Sequence, residues 1–400
     1  MQALFNKIQG DKVIWMVTIM LALISSLAVY SAISTLAFKA GGNSLGFLFK
    51  HLFMFVLGIL VIFWVHKVNF RYFAKVSQVL IYVTVVMLAL TLAFGSNIND
   101  AKRWITIPVI GLSFQTSDFA KIVLITFLAH QLNHYRTRLH EFSGGVVPVL
   151  IAPVIVCGLI LPANFSTAAM LFAVSYLLMF IAGVPIKHLL QIAGLGVAGL
   201  VMVFAIGKAS PKTFPRLETW INRVENFTNP EAEGNYQTDL AQVAIYRGGI
   251  LPSGPGSGSS RNYLPHPYSD MIYAFVIEEY GAFLGGLGLI LLYLILLYRS
   301  IRIATRCPKH FGGLLALGLS FLLVVQAIIN MAVAVKLFPT TGQPLPLVSM
   351  GGTSIVFTCL AIGMIISVSR SVYNKEEWEG EGGKSEDDDI DPAHNPTEYA

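Results

Sequence analysis

Apolar runs long enough to cross a bilayer recur along this chain, and they exclude most soluble folds. A crossing helix needs about 18 or more consecutive apolar residues with few charges. Val13–Ser34, Val76–Gly95, Gly144–Leu161, Ser166–Ile186, Leu189–Gly207, Phe311–Val335 and Gly352–Ser369 meet or approach that standard. Leu45–Val65 joins them with Lys50 and His51 at the interface, and Met271–Leu297 joins them despite Glu278 and Glu279. Phe119–Ala129 completes a tenth segment when Gln115–Asp118 lies within the membrane. The first run is too long for a secretory core and has no small-residue cleavage site before the next run, so it reads as a retained helix. The expectation is an all-α integral membrane protein of about ten transmembrane helices. Charge supports it: only 12% of residues are charged, against about 25% in soluble domains.

Orientation follows from Lys and Arg in the short connections. Lys7, Lys12, Lys67, Arg71, Lys75, Arg136, Arg138, Lys187, Arg299, Arg302, Arg306 and Lys309 fall on the side of the N-terminus, against Lys39, Lys50, Lys102, Arg103 and Lys336 on the other. Both termini are therefore expected in the cytoplasm. A large outer loop, residues 208–269, joins spans seven and eight. The chain divides into a polytopic domain, residues 1–373, and a tail, residues 374–400. The tail holds ten acids and two bases, a composition too polar to bury a core. The basic remainder suits anionic headgroups or an anionic substrate. Nucleic acid is a poor partner, because the bases sit in short membrane loops. Cys157, Cys307 and Cys359 imply neither a disulfide framework nor a metal site.

Within the outer loop, Leu217, Trp220, Ile221, Val224 and Phe227 recur at helical spacing. They predict an amphipathic helix lying on the outer membrane surface. Tyr236–Arg247 predicts a second one. Gly248, Gly249, Gly254, Gly256 and Gly258 among serines predict a flexible stretch that fits no nucleotide-binding fingerprint.

Polar groups at membrane depth are functional candidates by default. Asp118 and Lys121 are i and i+3 and share a helix face, either as a structural ion pair or as a polar cavity wall. Asp270 precedes a span, where its plainer role is a helix N-cap. Glu278 and Glu279 lie about 12 Å further along that helix at about 1.5 Å per residue, too deep to share one water-exposed centre with Asp270. Hydrogen bonds within the bundle are their plainer reading. Pro339, Pro344, Pro346, Gly351 and Gly352, with Thr341 and Ser349 between, predict an irregular re-entrant segment between the last two spans.

These clusters, in this order, resemble the family of shape, elongation, division and sporulation proteins that includes FtsW, RodA and SpoVE. Tyr236-Gln237, the glycines of 249–258, Leu264-Pro265, Ser269-Asp270 and Glu278-Glu279 stand at the family's spacings. Pro339–Gly342, Leu345-Pro346 and Ser349–Ser354 match its C-terminal signature, and Arg103-Trp104 with Gln115–Lys121 (including Ser117) its central motif. Departures are Thr116, Asp118, Ala163, Asn164, Ser166, His266, Tyr268 and Met350. The resemblance implies a peptidoglycan glycosyltransferase that polymerises lipid II, a disaccharide-pentapeptide on undecaprenyl pyrophosphate, at the outer face of the bacterial cytoplasmic membrane. It implies a class B penicillin-binding protein as partner, and the Pro-Thr-Thr-Gly run leans towards a division role with division-complex proteins. It makes Asp270 the essential carboxylate. The substrate contacts it implies are Arg103, Trp104, Gln115, Ser117, Asp118, Lys121, Tyr236, Gln237, Glu278, Glu279, Thr341, Ser349, Gly351 and Gly352.

The chemistry agrees. A single carboxylate suffices as general base for the attacking sugar hydroxyl, because pyrophosphate leaves readily, whereas glycoside hydrolysis demands a carboxyl pair. Arg103, Lys121, Arg247, Arg261 and Lys336 are the cations available to pyrophosphate, with Arg103 favoured by its bidentate fork. No cofactor is required; a divalent cation, Mg or Mn, is compatible with pyrophosphate but has no dedicated ligand cluster. The rival readings are a lipid II flippase, which needs a polar path but not Asp270, an elongation-type polymerase, and a division scaffold acting through its tail.

Overall fold

The computed structural model describes residues 9–33, 44–98, 101–107, 112–209, 216–229, 235–264 and 267–373. The tail and His266 lie outside them. Ten helices stand where the ten apolar segments were expected: α1 (Lys12–Ala32), α2 (Ser44–Val65), α3 (Phe70–Phe94), α4 (Thr116–His134), α5 (Val147–Ile160), α6 (Phe165–Ile181), α7 (Ile186–Ala209), and then, beyond the outer loop, the last three. The eighth is interrupted: α10 (Ile272–Tyr280), a π-helical stretch Gly281–Leu287, then α11 (Gly288–Arg306). It is followed by α12 (His310–Ala334) and α13 (Thr353–Tyr373). Two further helices, α8 (Leu217–Thr228) and α9 (Tyr236–Gly248), belong to the outer loop.

Eight of these helical stretches are long and apolar enough to cross a membrane, α5 together with the π-helical turn Phe142–Val146 that precedes it. The other two are α6, at 17 residues, and α4, which carries Asp118 and Lys121. α12 and α13 form the centre, with most of their residues buried. α2, α3 and α7 instead show large apolar side chains such as Phe53, Val79, Tyr82 and Leu195 on their outer faces, as lipid-facing helices do.

The structure departs from all-α in one place. A three-stranded antiparallel sheet, β1 (Ser96–Ile98), β2 (Ala101–Ile107) and β3 (Leu112–Gln115), links α3 to α4. Trp104 pairs with Gln115 and Ile105 with Phe114. Lys-Arg-Trp-Ile-Thr-Ile is rich in β-branched and aromatic residues, which suit a pleated, half-buried surface.

Residues at the ends of α1, α2, α11 and α13 meet at one end of the bundle. Asp11 caps α1, accepting from Val13 N and Ile14 N, and pairs with Arg299 at 2.6 Å. Arg370, buried, donates to the carbonyls of His66 and Lys67. Asp11, Arg299 and Arg370 thus lock α1, α11, α13 and the α2–α3 turn together.

Candidate active site

The opposite end is organised around Asp270. The residue lies in a turn, and α10 begins only at Ile272, with Met271 in the cap position. Its expected role as N-cap is therefore not realised. Its carboxylate instead accepts a 3.4 Å hydrogen bond from Gln237 Nε2, on the first turn of α9. Arg223 of α8 lies close enough for its charge to act on Asp270. Burial and the neighbouring Arg216 hold the Arg223 guanidinium below its ordinary pKa, and Asp270 pushes it back up. Burial raises the Tyr268 hydroxyl, and the Asp270 charge adds to that.

The turn is clamped from behind by the proline-rich loop between α12 and α13. Three successive carbonyls are taken by three donors: Tyr268 O by Met350 N at 2.8 Å, Ser269 O by Ser349 Oγ at 2.5 Å, and Asp270 O by Asn330 Nδ2 at 2.8 Å. The loop is irregular backbone buried in protein, as membrane depth requires; Thr341, Gln343, Leu345, Leu347, Val348 and Ser349 are all buried. Leu347 adopts φ +61, a conformation costing a bulky residue on the order of 1–3 kcal/mol, which persists only where surroundings enforce it. Here Ser25 Oγ donates to Val348 O at 2.7 Å, Tyr293 OH donates to Pro346 O, and Leu345 N donates to Ser349 Oγ at 2.7 Å. Ser25 spends its hydrogen on Val348, so it accepts from His51 Nε2 at 3.1 Å. Gly351 and Gly352 open the first turn of α13, their carbonyls accepting from Ser354 N and Ile355 N.

Asp118 and Lys121 form the expected pair, Nζ to Oδ1 at 2.8 Å, and both are buried. Lys121 also donates to Gln326 Oε1 at 3.1 Å, and Gln326 Nε2 donates to Pro344 O at 2.8 Å. Alongside the pair lies a cavity of about 20 Å³, bordered by Ser354, Phe357 and Thr358 of α13, roughly the space of one water. Gln115 Nε2 donates to Ser117 Oγ at 2.9 Å. A second cavity of similar size is lined by Thr91, Thr116, Ser117 and Asn164.

Glu278 and Glu279 are buried on α10, and their partners are not bundle helices alone. The glycine-serine stretch folds down onto them. Glu278 Oε1 accepts from Ser259 N at 3.1 Å, Ser260 N at 3.1 Å and Ser260 Oγ at 3.0 Å. Glu279 Oε1 accepts from Gly256 N at 2.9 Å and from Ser31 Oγ of α1 at 2.5 Å. The stretch expected to be flexible is anchored, and its glycines permit the approach: a Cβ at Gly258 would lie 2.9 Å from Glu278 Oε2.

Of the expected contacts, Gln237 reaches Asp270 while Tyr236 points outward, 60% exposed. Trp104 is half-buried in the sheet; the side chain of Arg103 lies outside the described residues. Lys336 is engaged by Asp239 at 2.9 Å and Arg247 by Ser259 Oγ at 2.7 Å. α8 rests on protein through Trp220, which packs against Phe165 and Phe204, while Val224 and Phe227 remain exposed. Its Arg223 was not foreseen, and neither were Gln326 and Asn330. Two amides at i and i+4 inside a 25-residue apolar helix were the available signal.

Known proteins share this architecture. The chain is 30% identical over 372 residues to a probable peptidoglycan glycosyltransferase FtsW of Trichlorobacter lovleyi, covering 91% of this chain and 94% of that one. It is 30% identical over 375 residues to stage V sporulation protein E of Bacillus subtilis, covering 91% and 98%. Among solved structures it resembles a chain of "Structural coordination of polymerization and crosslinking by a peptidoglycan synthase complex", with TM-score 0.71, 26% identity, and coverage of 91% and 98%. The rod shape determining protein RodA of Thermus thermophilus shares the fold at TM-score 0.65 and 23% identity, with coverage of 91% and 98%. The family model described as "Cell cycle protein", for FtsW, RodA and SpoVE, matches residues 11–374, and the chain belongs to that family of multi-pass bacterial membrane proteins.

Proposed function

We propose that the protein is a peptidoglycan glycosyltransferase that polymerises lipid II, with Asp270 as general base. One observation carries the assignment: the three consecutive carbonyls ending at Asp270 are each held by a donor from α12 or the proline-rich loop. A carboxylate fixed in this way at the end of a bundle is preorganised for proton transfer. The hydroxyl oxygen of the acceptor sugar attacks the anomeric carbon of the donor. The bond from that carbon to the pyrophosphate oxygen breaks, the proton passes to Asp270, and undecaprenyl pyrophosphate departs with the electron pair. Arg223, close to Asp270, supplies positive charge where the pyrophosphate accumulates negative charge.

The Asp118–Lys121 pair forms an enclosed intramembrane wall that supports the loop through Gln326. The N-terminus of α13 lines the same cavity through Ser354. The reading requires no cofactor. Among the described residues no three His, Cys, Asp or Glu side chains gather, so a Mg or Mn ion would be held mainly by the substrate's own phosphates, as Mg commonly is.

The chain crosses the cytoplasmic membrane ten times, with Asp270 towards the periplasm and the Asp11–Arg299 end in the cytoplasm. A class B penicillin-binding protein is the partner; the related complex whose name couples polymerization to crosslinking supports this. The test is polymerisation of labelled lipid II by purified protein with that partner. Asp270→Asn keeps size but cannot accept the proton, and loss of a general base lowers rates about 10²–10⁴-fold. A well-folded variant that binds lipid II but makes no polymer is expected. Polymerisation by Asp270→Asn at near the normal rate refutes the assignment, while unimpaired transport of lipid II by that variant would indicate a flippase.

A further inference from the structure

We propose that Asn330 is a positioning residue for Asp270, acting by tying the peptide that carries the carboxylate to the proline-rich loop. The proposal deepens the reading of Asp270 as general base and rests on it. Asn330 is 1% exposed and Gln326 4%, and the two are one helical turn apart on the same face of α12. Asn330 Nδ2 donates 2.8 Å to Asp270 O and 2.8 Å to Gln343 O. One amide nitrogen thus spends both hydrogens on two segments far apart in sequence. Chemistry fixes the orientation of this amide: carbonyl oxygens only accept, so the nitrogen and not the oxygen must face them.

Gln326 repeats the arrangement one turn away. It donates to Pro344 O, the next carbonyl of the loop, and accepts from Lys121. The two amides therefore read successive loop carbonyls, but only Asn330 also touches the Asp270 peptide. Met350 and Ser349 hold the two preceding carbonyls. Burying a polar side chain in an apolar helix is unfavourable unless its hydrogen bonds are made. Here both bonds of Asn330 Nδ2 go to backbone that has no helix or strand ladder of its own, while Asn330 Oδ1 accepts no hydrogen bond among the described residues.

A general base must sit about 2.6–3.2 Å from the proton it removes, and a misplacement of about 1 Å can lower a rate about 10²-fold. Asn330 is placed to set that separation and is not assigned any contact with the substrate. Its loss should lower kcat and spare KM. Gln326 is the comparison: it too is buried, on the same helix face and bonded to the same loop, but it makes no bond to the Asp270 peptide.

The experiment measures kcat and KM for labelled lipid II with purified protein and its penicillin-binding partner, per mole of monodisperse protein. Asn330→Ala is expected to lose kcat about 10²-fold with KM within about twofold. Asn330→Ser, which keeps one donor, should fall between Ala and Asn, and this variant carries the test if Asn330→Ala does not purify. Gln326→Ala should lose less than about tenfold in kcat. Equal losses from Gln326→Ala and Asn330→Ala, a rise in KM that matches the fall in kcat, or full activity of Asn330→Ser and Asn330→Ala each overturn the proposal. Asp270→Asn is assayed in parallel. If it polymerises normally, the general-base reading fails on its own account, whatever Asn330 does.

Discussion

Replacing Glu278 by Gln is expected to loosen the glycine-serine loop without unfolding the bundle. Three donors reach Glu278 Oε1 within 3.1 Å: Ser259 N, Ser260 N and Ser260 Oγ. A hydrogen bond to a charged group contributes about 1.5–3 kcal/mol and one to a neutral group about 0.5–1.5. Neutralising the acceptor therefore costs about 1 kcal/mol per bond, about 3 kcal/mol in all. Glu278 is 4% exposed, and burying its charge carries a penalty that the amide escapes, which offsets part of the loss. A net of about 1.4–3 kcal/mol corresponds to an increase of about tenfold to 100-fold in the opening equilibrium of the loop. Two of the donors are backbone amides, so hydrogen exchange reads this equilibrium directly where reclosing outpaces exchange. The measurement is exchange by mass spectrometry on peptides covering residues 254–264, with α12 and α13 as internal reference. Unchanged exchange in those peptides would refute the anchoring role. Equal acceleration throughout the protein would make Glu278 a residue of the bundle rather than of the loop.

Lys121→Ala should destabilise the protein by about 3–5 kcal/mol, because it strands a buried Asp118, and Asp118→Ala in the same chain should restore much of that. Thermal unfolding in detergent checks the restoration, and a double variant no more stable than Lys121→Ala contradicts the pairing. With Cys157, Cys307 and Cys359 replaced, Asn262→Cys should react with an impermeant thiol reagent in intact spheroplasts and Thr305→Cys should not, both positions being exposed. The reverse pattern inverts the topology. Deletion of residues after Asn374 should leave lipid II polymerisation near normal in vitro, because α13 ends beside Arg299, where Arg299 donates to Tyr373 OH, and not beside Asp270. A loss of activity at an unchanged protein level would show that the tail acts on the site.

The helices were legible because a bilayer leaves a chain few choices, and each apolar run became helical, the eighth with a π-helical interruption. The sheet at 96–115 was harder to see. Its strands are short and their alternation is interrupted, and a β-branched run beside a membrane span reads as easily as part of the span. The Asp118–Lys121 pair followed from spacing alone, since i and i+3 share a face whatever surrounds them. Asp270 was legible as a chemical group but not as a geometry. The cap reading failed because α10 starts one residue later than a capping Asp would need, which leaves Met271 in the cap position. Glu278 and Glu279 were correctly expected to be deep, yet their partners come from a loop that folds inward over about twenty residues of sequence, and helical periodicity carries no information about such pairing.

The two amides of α12 sharpen the point. A polar atom in an apolar span announces that it has a partner without saying which one. The partners were nonetheless announced elsewhere in the chain. Pro339, Pro344 and Pro346 have no N–H and break any regular ladder, so a proline-rich loop at membrane depth must leave carbonyl oxygens in need of donors. Gln326 and Asn330 are donors in need of acceptors on the helix leading into that loop. The bonds from Gln326 to Pro344 and from Tyr293 to Pro346 are what that matching demands. Unladdered carbonyls and amide donors in adjacent spans must match one another, so the prolines of the loop already imply donors such as Gln326 and Asn330 in the sequence.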